Sequence, residues 1–282
     1  MAETIKQIMA SEVPQKGVVA EGWVRTARQS KGIAFLELND GSTMGNLQAV
    51  IVEGARDFEA ASRIGVGAAV RVAGALVASP AKGQRVELQA ETVELVGDVD
   101  PDYPLQKKRH SFEFLRTISH LRPRARTFGA VFRVRHALQM AIHEFFDARG
   151  FIQVHAPIIT GSDAEGAGQM FRVTCLDPKA PPLAEGEVDF SKDFFGKRTA
   201  LTVSGQLEAE VFALAFRNVY TFGPTFRAEN SNTSRHAAEF WMIEPEMAFC
   251  DLRGDMALAE AFIRGIVRRV LERCPEEIDF FD

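Results

Sequence analysis

The feature that most constrains this chain is a change in hydrophobic period part-way along it. From residue 17 to about 97 the apolar residues come in short, β-branched runs: VVAEGWV, IAFLEL, LQAVIV, AAVRVAGALV and VELQAETVELV, divided by Gly, Asn, Asp and Ser. Such runs bounded by turn residues are strands, because alternate side chains of a strand point to opposite faces. Between the third and fourth lies ARDFEAASRI, whose composition suits one short helix.

Five strands with a helix after the third is the order of an OB-fold barrel. The stretch DVDPDYP that follows is acidic and broken by proline, and QKKRHSFEFLRTISHLRPRAR after it is basic, so residues 101–125 read as a linker or hinge. Its Lys107, Lys108, Arg109, Arg122, Arg124 and Arg126 form a charge run that is either a solvated face or a phosphate contact. From Arg126 the period becomes helical: Val131, Val134, Leu138, Ile142 and Phe145 recur every three or four residues, and Gly150 is a natural stop. FIQVHAPIIT then reads as an extended run that Pro157 confines to a sheet edge or bulge.

Composition sets the setting. At 282 residues the chain is long enough for two domains. A net charge of −5 argues against general polyanion binding, so any nucleic-acid contact should be a local patch. Cys175, Cys250 and Cys274 have neither disulfide nor zinc spacing, and no run approaches the roughly 20 apolar residues of a membrane span. A soluble cytoplasmic protein with no membrane partner is expected.

The chemistry concentrates in TFRAENSNTSRHAAEFWMIEPEMAF, residues 225–249, where two extended runs flank a loop too polar for a core. Strand alternation places Arg227 with Glu229 on one face, and Phe240 with Met242, Glu244 and Glu246 on one face. A guanidinium fork grips phosphate and an aromatic face stacks on a base, so this set suits a nucleotide bound with an amino acid. An isolated FRxE would be no more than a hairpin with surface ion pairs.

The whole string FRAEN, SRHAAEF and EPE resembles motif 2 of class II aminoacyl-tRNA synthetases of the aspartyl/asparaginyl subgroup, and the likeness to the asparaginyl branch extends over nearly the whole chain. The resemblance implies an α+β chain: an all-β OB-fold anticodon-binding domain (residues 1–100), the hinge (101–125) and a class II antiparallel-sheet catalytic domain with motifs 1 and 2 only (126–282). It implies that Arg227 bridges the ATP α-phosphate and the amino-acid carboxylate, that Glu229 approaches the adenine side, and that His236, with Arg235 beside it, lies near the γ-phosphate. Phe240 would stack on adenine. Gly150, Phe151 and Pro157 match motif 1, which implies a homodimer. SDAEGAG, residues 162–168, resembles a mobile loop whose Glu165 meets the substrate ammonium group.

Two positions speak to the amino acid. The aspartyl branch carries QSPQxxK where this chain has TVSGQLEAE; Gln206 is retained near the amino group, while the lysine position is Ala209, so a substrate carboxylate would lack its cation. Where the aspartyl branch has Asp this chain has Glu244, and an ionised carboxylate suits the two N–H donors of an asparagine amide. DFFGK ahead of the strand carrying SGQ also resembles the asparaginyl branch. In the barrel, the resemblance assigns Phe35 to stacking on an anticodon base and Gln48 to hydrogen-bonding it, with Arg25, Arg28 and Glu87 on the same sheet. Alternation supports an outward Phe35, in phase with Glu37 and out of phase with Leu36 and Leu38.

The implied reaction is ATP-dependent formation of asparaginyl-adenylate and transfer to tRNA(Asn), aided by Mg²⁺. The alternatives are an aspartyl enzyme, including a form that charges both tRNAs, an amide ligase on the same core, or a non-catalytic tRNA-binding fragment. A GxGxxxER segment and the acidic Mg²⁺ ligands upstream of it are not found, so those ligands are expected beyond residue 282, no metal site is expected within the chain, and the chain reads as a truncated form with an impaired site and an open sheet edge.

Overall fold

A computed structural model of the chain describes residues 3–164, 166, 169–231, 233 and 235–282. They form two compact units, Met1–His136 with Cys274–Asp282, and Ala137–Arg273.

The first unit opens with α1 (Ile5–Ala10), started by a reciprocal capping box between Thr4 and Gln7. Then come β1 (Gln15–Ser30), β2 (Ile33–Asn39), β3 (Leu47–Val52), the single turn α2 (Phe58–Ala61), β4 (Ala69–Ala78) and β5 (Val86–Gly97). The five strands close into a barrel in the order β1-β2-β3-β5-β4, as their pattern implies. β1 outruns the seven residues of VVAEGWV. A register shift between Val24 and Thr26 bends it, so that its first half pairs with β4 and its second with β2.

Alternation decides which side chains fill the barrel. In β2, Ala34, Leu36 and Leu38 are buried while Phe35 and Glu37 are only half-buried. Leu47, Ile51, Leu76 and Leu88 complete the core with Ile5 and Ile8 of α1, all but excluded from water. Each such burial contributes about 1.5–3 kcal/mol. Gly74 sits where β4 shifts register against β5, and a Cβ there would lie 2.0 Å from the Gln89 carbonyl oxygen. After the barrel come α3 (Phe112–Thr117), capped by the Ser111 side chain, and a 3₁₀ turn at Arg122–Arg124, both within the first unit.

Helix α4 (Arg126–Asp147) is the long helix expected, and Gly150 after it has φ +73, the left-handed value that ends a helix. Its buried stripe follows the expected one at Ile142 and Phe145, with Leu138 packed against them, and departs from it at Val131. Val131 is exposed, while Ala130, Ala137, Ala141 and Phe146 are buried beside Ile142 and Phe145.

The second unit continues with β6 (Ile152–Gln153), β7 (Ile159–Thr160), β8 (Arg172–Val173), β9 (Leu183–Ala184), β10 (Glu187–Val188), β11 (Thr199–Leu201), α5 (Gln206–Phe216), β12 (Asn218–Phe226), β13 (Glu239–Met247) and α6 (Leu252–Arg273). FIQVHAPIIT is not one strand: β6 joins the sheet β13-β12-β6, parallel to β12, and β7 joins β7-β11-β8, with Pro157 between them. SGQ is not in a strand either; it is the turn into α5. β12 and β13 form a nine-residue hairpin in unbroken register from Asn218 opposite Met247 to Phe226 opposite Glu239. Among the described residues no strand pairs with the far edge of β13. The helix α7 (Pro275–Phe281) belongs to the first unit, where Arg133 lies 3.8 Å from Glu277.

Candidate functional site

The hairpin has two unlike faces. Tyr220, Phe222, Ile243 and Met247 pack on Ile142, Phe145, Phe146 and Phe262 of α4 and α6, with the Phe146 and Tyr220 rings stacked 4.5 Å apart. That face packs on the helices, with Trp241 at its exposed end. The other face carries Thr221, Gly223 and Thr225 opposite Glu244, Met242 and Phe240. Small residues on one strand facing larger ones on the other leave room above this face.

Arg227 and Glu229 do not share a strand face, because β12 ends at Phe226. The Arg227 N–H still donates to the Ala238 carbonyl, 3.0 Å away, so the arginine starts the loop at a fixed point. Its guanidinium carbon stands 5.4 Å from the centre of the Phe240 ring, and one Nη lies 4.0 Å from the Met242 sulfur. Arg227 Nε and His236 Nε2 are both buried with no protein hydrogen-bond partner. Buried polar atoms left unmatched are costly, which marks both as open to a polar ligand. Glu229 and Arg235 are exposed in the loop, and Glu165 lies outside the described residues.

Glu244 pairs with no arginine among its hydrogen bonds. Its Oε1 accepts from the Ser204 hydroxyl in a short contact, and its Oε2 accepts from the Gly205 N–H at 3.1 Å and the Thr221 hydroxyl at 2.8 Å. Glu244, Thr221 and Gly205 line a cleft of about 360 Å³ with Thr202, His155 and Trp241. Gln206 is the first residue of α5, and its side-chain N–H group reaches Glu210, 3.2 Å away. Ala209 is fully buried with Val154, Ala213 and Val219 in an apolar cluster. Burial beside Glu210, Glu244 and Asp255 raises the Glu246 carboxyl above the ordinary carboxylate range.

A second constellation lies on the outside of the barrel. The Arg28 guanidinium stacks over Phe35 at 4.6 Å and donates to Gln48 Oε1 at 3.1 Å. Gln48 Nε2 in turn reaches Glu87 Oε2 at 3.5 Å, and that oxygen also accepts from Ser79 and Gln84. Four of the five barrel residues named from sequence therefore form one network. Arg25 does not join it: from the bulge in β1 it turns to the Arg124 carbonyl, where burial foremost, with Arg124 and Arg133 nearby and Tyr103 opposing, lowers its pKa. Three arginines of the basic run are also engaged, Arg124 over Trp23, Arg122 over Phe128 and Arg126 over Phe280.

Residues 112–282 match the family model described as tRNA synthetases class II (D, K and N), and residues 18–96 match the OB-fold nucleic acid binding domain. The chain belongs to the class II tRNA synthetases of the D, K and N group. Asparagine–tRNA ligases of Nostoc sp. and Geobacter sulfurreducens are 63% and 61% identical to it over 99% of its length, and it spans 61% and 60% of theirs. The asparaginyl-tRNA synthetase of Pyrococcus horikoshii with asparaginyl-adenylate bound is similar in structure, with a TM-score of 0.86 and 28% identity, over the whole chain and 61% of that one. An aspartyl-tRNA synthetase from Entamoeba histolytica shares the fold at a TM-score of 0.74 and 20% identity.

Within this synthetase chain, sequence reasoning missed Ser204, Gly205 and Thr221 around Glu244, and Ser79 and Gln84 around Glu87. The signal for Thr221 was present in the alternation of Val219, Thr221, Gly223 and Thr225 with Tyr220, Phe222, Pro224 and Phe226, small residues against large. No comparable signal marks Ser79, which reaches Glu87 across a strand turn.

Proposed function

We propose that this chain supplies the anticodon reader and the ATP- and amino-acid-gripping hairpin of an asparagine–tRNA ligase. The observation that carries the amino-acid choice is Glu244, an acceptor at the cleft, with Ala209, buried in an apolar cluster, standing in sequence where the aspartyl branch carries its lysine. Relatives about 60% identical that bear the name asparagine–tRNA ligase support it. An aspartyl enzyme lacks any such support in this chain.

In this reading the asparagine carboxylate attacks the ATP α-phosphorus, the bond to the pyrophosphate oxygen breaks, and asparaginyl-adenylate forms. A terminal ribose hydroxyl of tRNA(Asn) then attacks the acyl carbon and AMP leaves. Arg227 holds the carboxylate against the α-phosphate, Phe240 takes adenine with Glu229 at its edge, and His236 and Arg235 meet the outer phosphates. Gln206 and Glu165 hold the ammonium group, and Glu244 the amide. No side-chain nucleophile is needed; positioning and fixed charge supply the catalysis. ATP with Mg²⁺ belongs to the same proposal; the ion would supply charge stabilisation at the phosphates, and the roles above are those of this chain's own side chains. Among the described residues no group of three or more His, Cys, Asp or Glu side chains is gathered as metal ligands.

The same proposal includes residues 1–100 as anticodon domain, 101–125 as hinge, 126–282 as catalytic part, a homodimer through α4 and β6, and a cytoplasmic setting. No helix among the described residues is long and apolar enough to cross a membrane. The test is calorimetric binding of the sulfamoyl analogues of asparaginyl- and aspartyl-adenylate. Tighter binding of the asparaginyl form is expected; equal or reversed preference would sink the proposal.

A further inference from the structure

Three donors converge on one carboxylate in the second unit. Ser204 and Thr221 are 8% and 4% exposed, and Thr221 lies directly opposite Glu244 in the hairpin register. The Ser204 hydroxyl oxygen accepts from the Gln206 N–H at 3.1 Å, so its single proton is directed to Glu244 Oε1. Gly205 reaches Oε2 with its backbone N–H because it has no side chain. A Cβ there would meet Ala156 Cβ and the Thr221 side chain at 3.1 Å, tighter than ordinary contact.

The consequence is an orientation. A carboxylate offers two oxygens with about two acceptor positions each. Ser204 fills one position on Oε1, while Gly205 and Thr221 fill both on Oε2. One acceptor position, on Oε1, is left without a protein donor, on a side chain that lines the cleft. Rotating the carboxyl to offer anything else breaks at least one of three bonds to buried donors. We propose that Ser204, Gly205 and Thr221 are positioning residues that fix Glu244 as a single-site acceptor and thereby set the preference for an amide over a carboxylate side chain. This rests on the asparagine reading above and adds to it the device that enforces the choice.

The logic is that of discrimination by an unmatched group. An amide N–H satisfies the free position, whereas an acceptor-only carboxylate meets a fixed acceptor with no hydrogen between them. If Glu244 were free to turn, a water could enter and carry a carboxylate ligand.

The test compares the parent with Thr221→Val, Thr221→Ser and Ser204→Ala by calorimetry, using ATP and the two sulfamoyl analogues. Thr221→Val keeps the shape and removes the donor; Thr221→Ser keeps the donor and removes the methyl. The expected result is a roughly 10-fold loss of the asparaginyl-over-aspartyl preference in Thr221→Val and Ser204→Ala. Thr221→Ser retains the preference, and ATP affinity stays within about 2-fold throughout. An unchanged preference in Thr221→Val, with the parent preferring the asparaginyl analogue, overturns the positioning role alone. An equal loss in Thr221→Ser overturns it too, because shape and not the hydroxyl would be responsible. A parent without the preference overturns the asparagine reading and this inference together.

Discussion

Replacing Phe35 by Ala separates affinity for RNA from stability of the barrel. The ring stands on the outer face of β2, half-buried, with Arg28 over it at 4.6 Å, while its neighbours Ala34, Leu36 and Leu38 point into the core. Truncation removes a stacking platform and leaves the core untouched. Base stacking on an aromatic is worth about 1–3 kcal/mol, so the Kd for a tRNA(Asn) anticodon stem-loop should rise roughly 5- to 150-fold. The loss of stability should stay under about 1 kcal/mol, a shift of less than about 8 °C in the barrel's melting midpoint. Fluorescence anisotropy at several salt concentrations provides the control. Stacking releases no counterions, so the slope of log Kd against log salt should match the parent, whereas a lost phosphate contact lowers it by about one. A change in Kd under 2-fold, or a flattened slope, would refute the stacking role.

Other consequences follow from the packing. Gly74→Ala forces β4 and β5 apart at the Gln89 carbonyl and should cost more than about 2 kcal/mol, read as a lowered denaturant midpoint. Tyr220→Phe removes the 2.7 Å hydrogen bond to His143 Nδ1 on the face that packs on the helices and should cost about 1–3 kcal/mol, measured by urea unfolding. Because the folded-state pKa of Glu246 is raised, its contribution to stability is fully present below the unfolded value and is lost as pH rises through the folded one. Glu246→Gln should therefore raise the melting midpoint more at pH 7 than at pH 4, and an equal gain at both would refute the assignment. Arg227→Lys keeps charge but loses the guanidinium fork, so ATP affinity measured by calorimetry should fall at least about 10-fold.

How much of this was legible in the chain depends on the range over which each feature acts. The five strands, the helix after the third, the outward phase of Phe35, the long helix and its glycine stop are local: alternation, turn residues and caps act within a few positions, and the sequence carries them in full. The grouping of Phe240, Met242, Glu244 and Glu246 on one face followed from the same period. Where Arg227 sits did not, because the end of β12 is set by its pairing with β13.

Tertiary structure alone decided which alanines of α4 are buried, which residues hold Glu244, and that Arg25 leaves the barrel network that Arg28 joins. The physical reason is common to all three. A hydrogen bond between Thr221 and Glu244 or Ser79 and Glu87 costs chain closure over residues that share no local pattern, and only the folded register brings such partners within about 3 Å of each other.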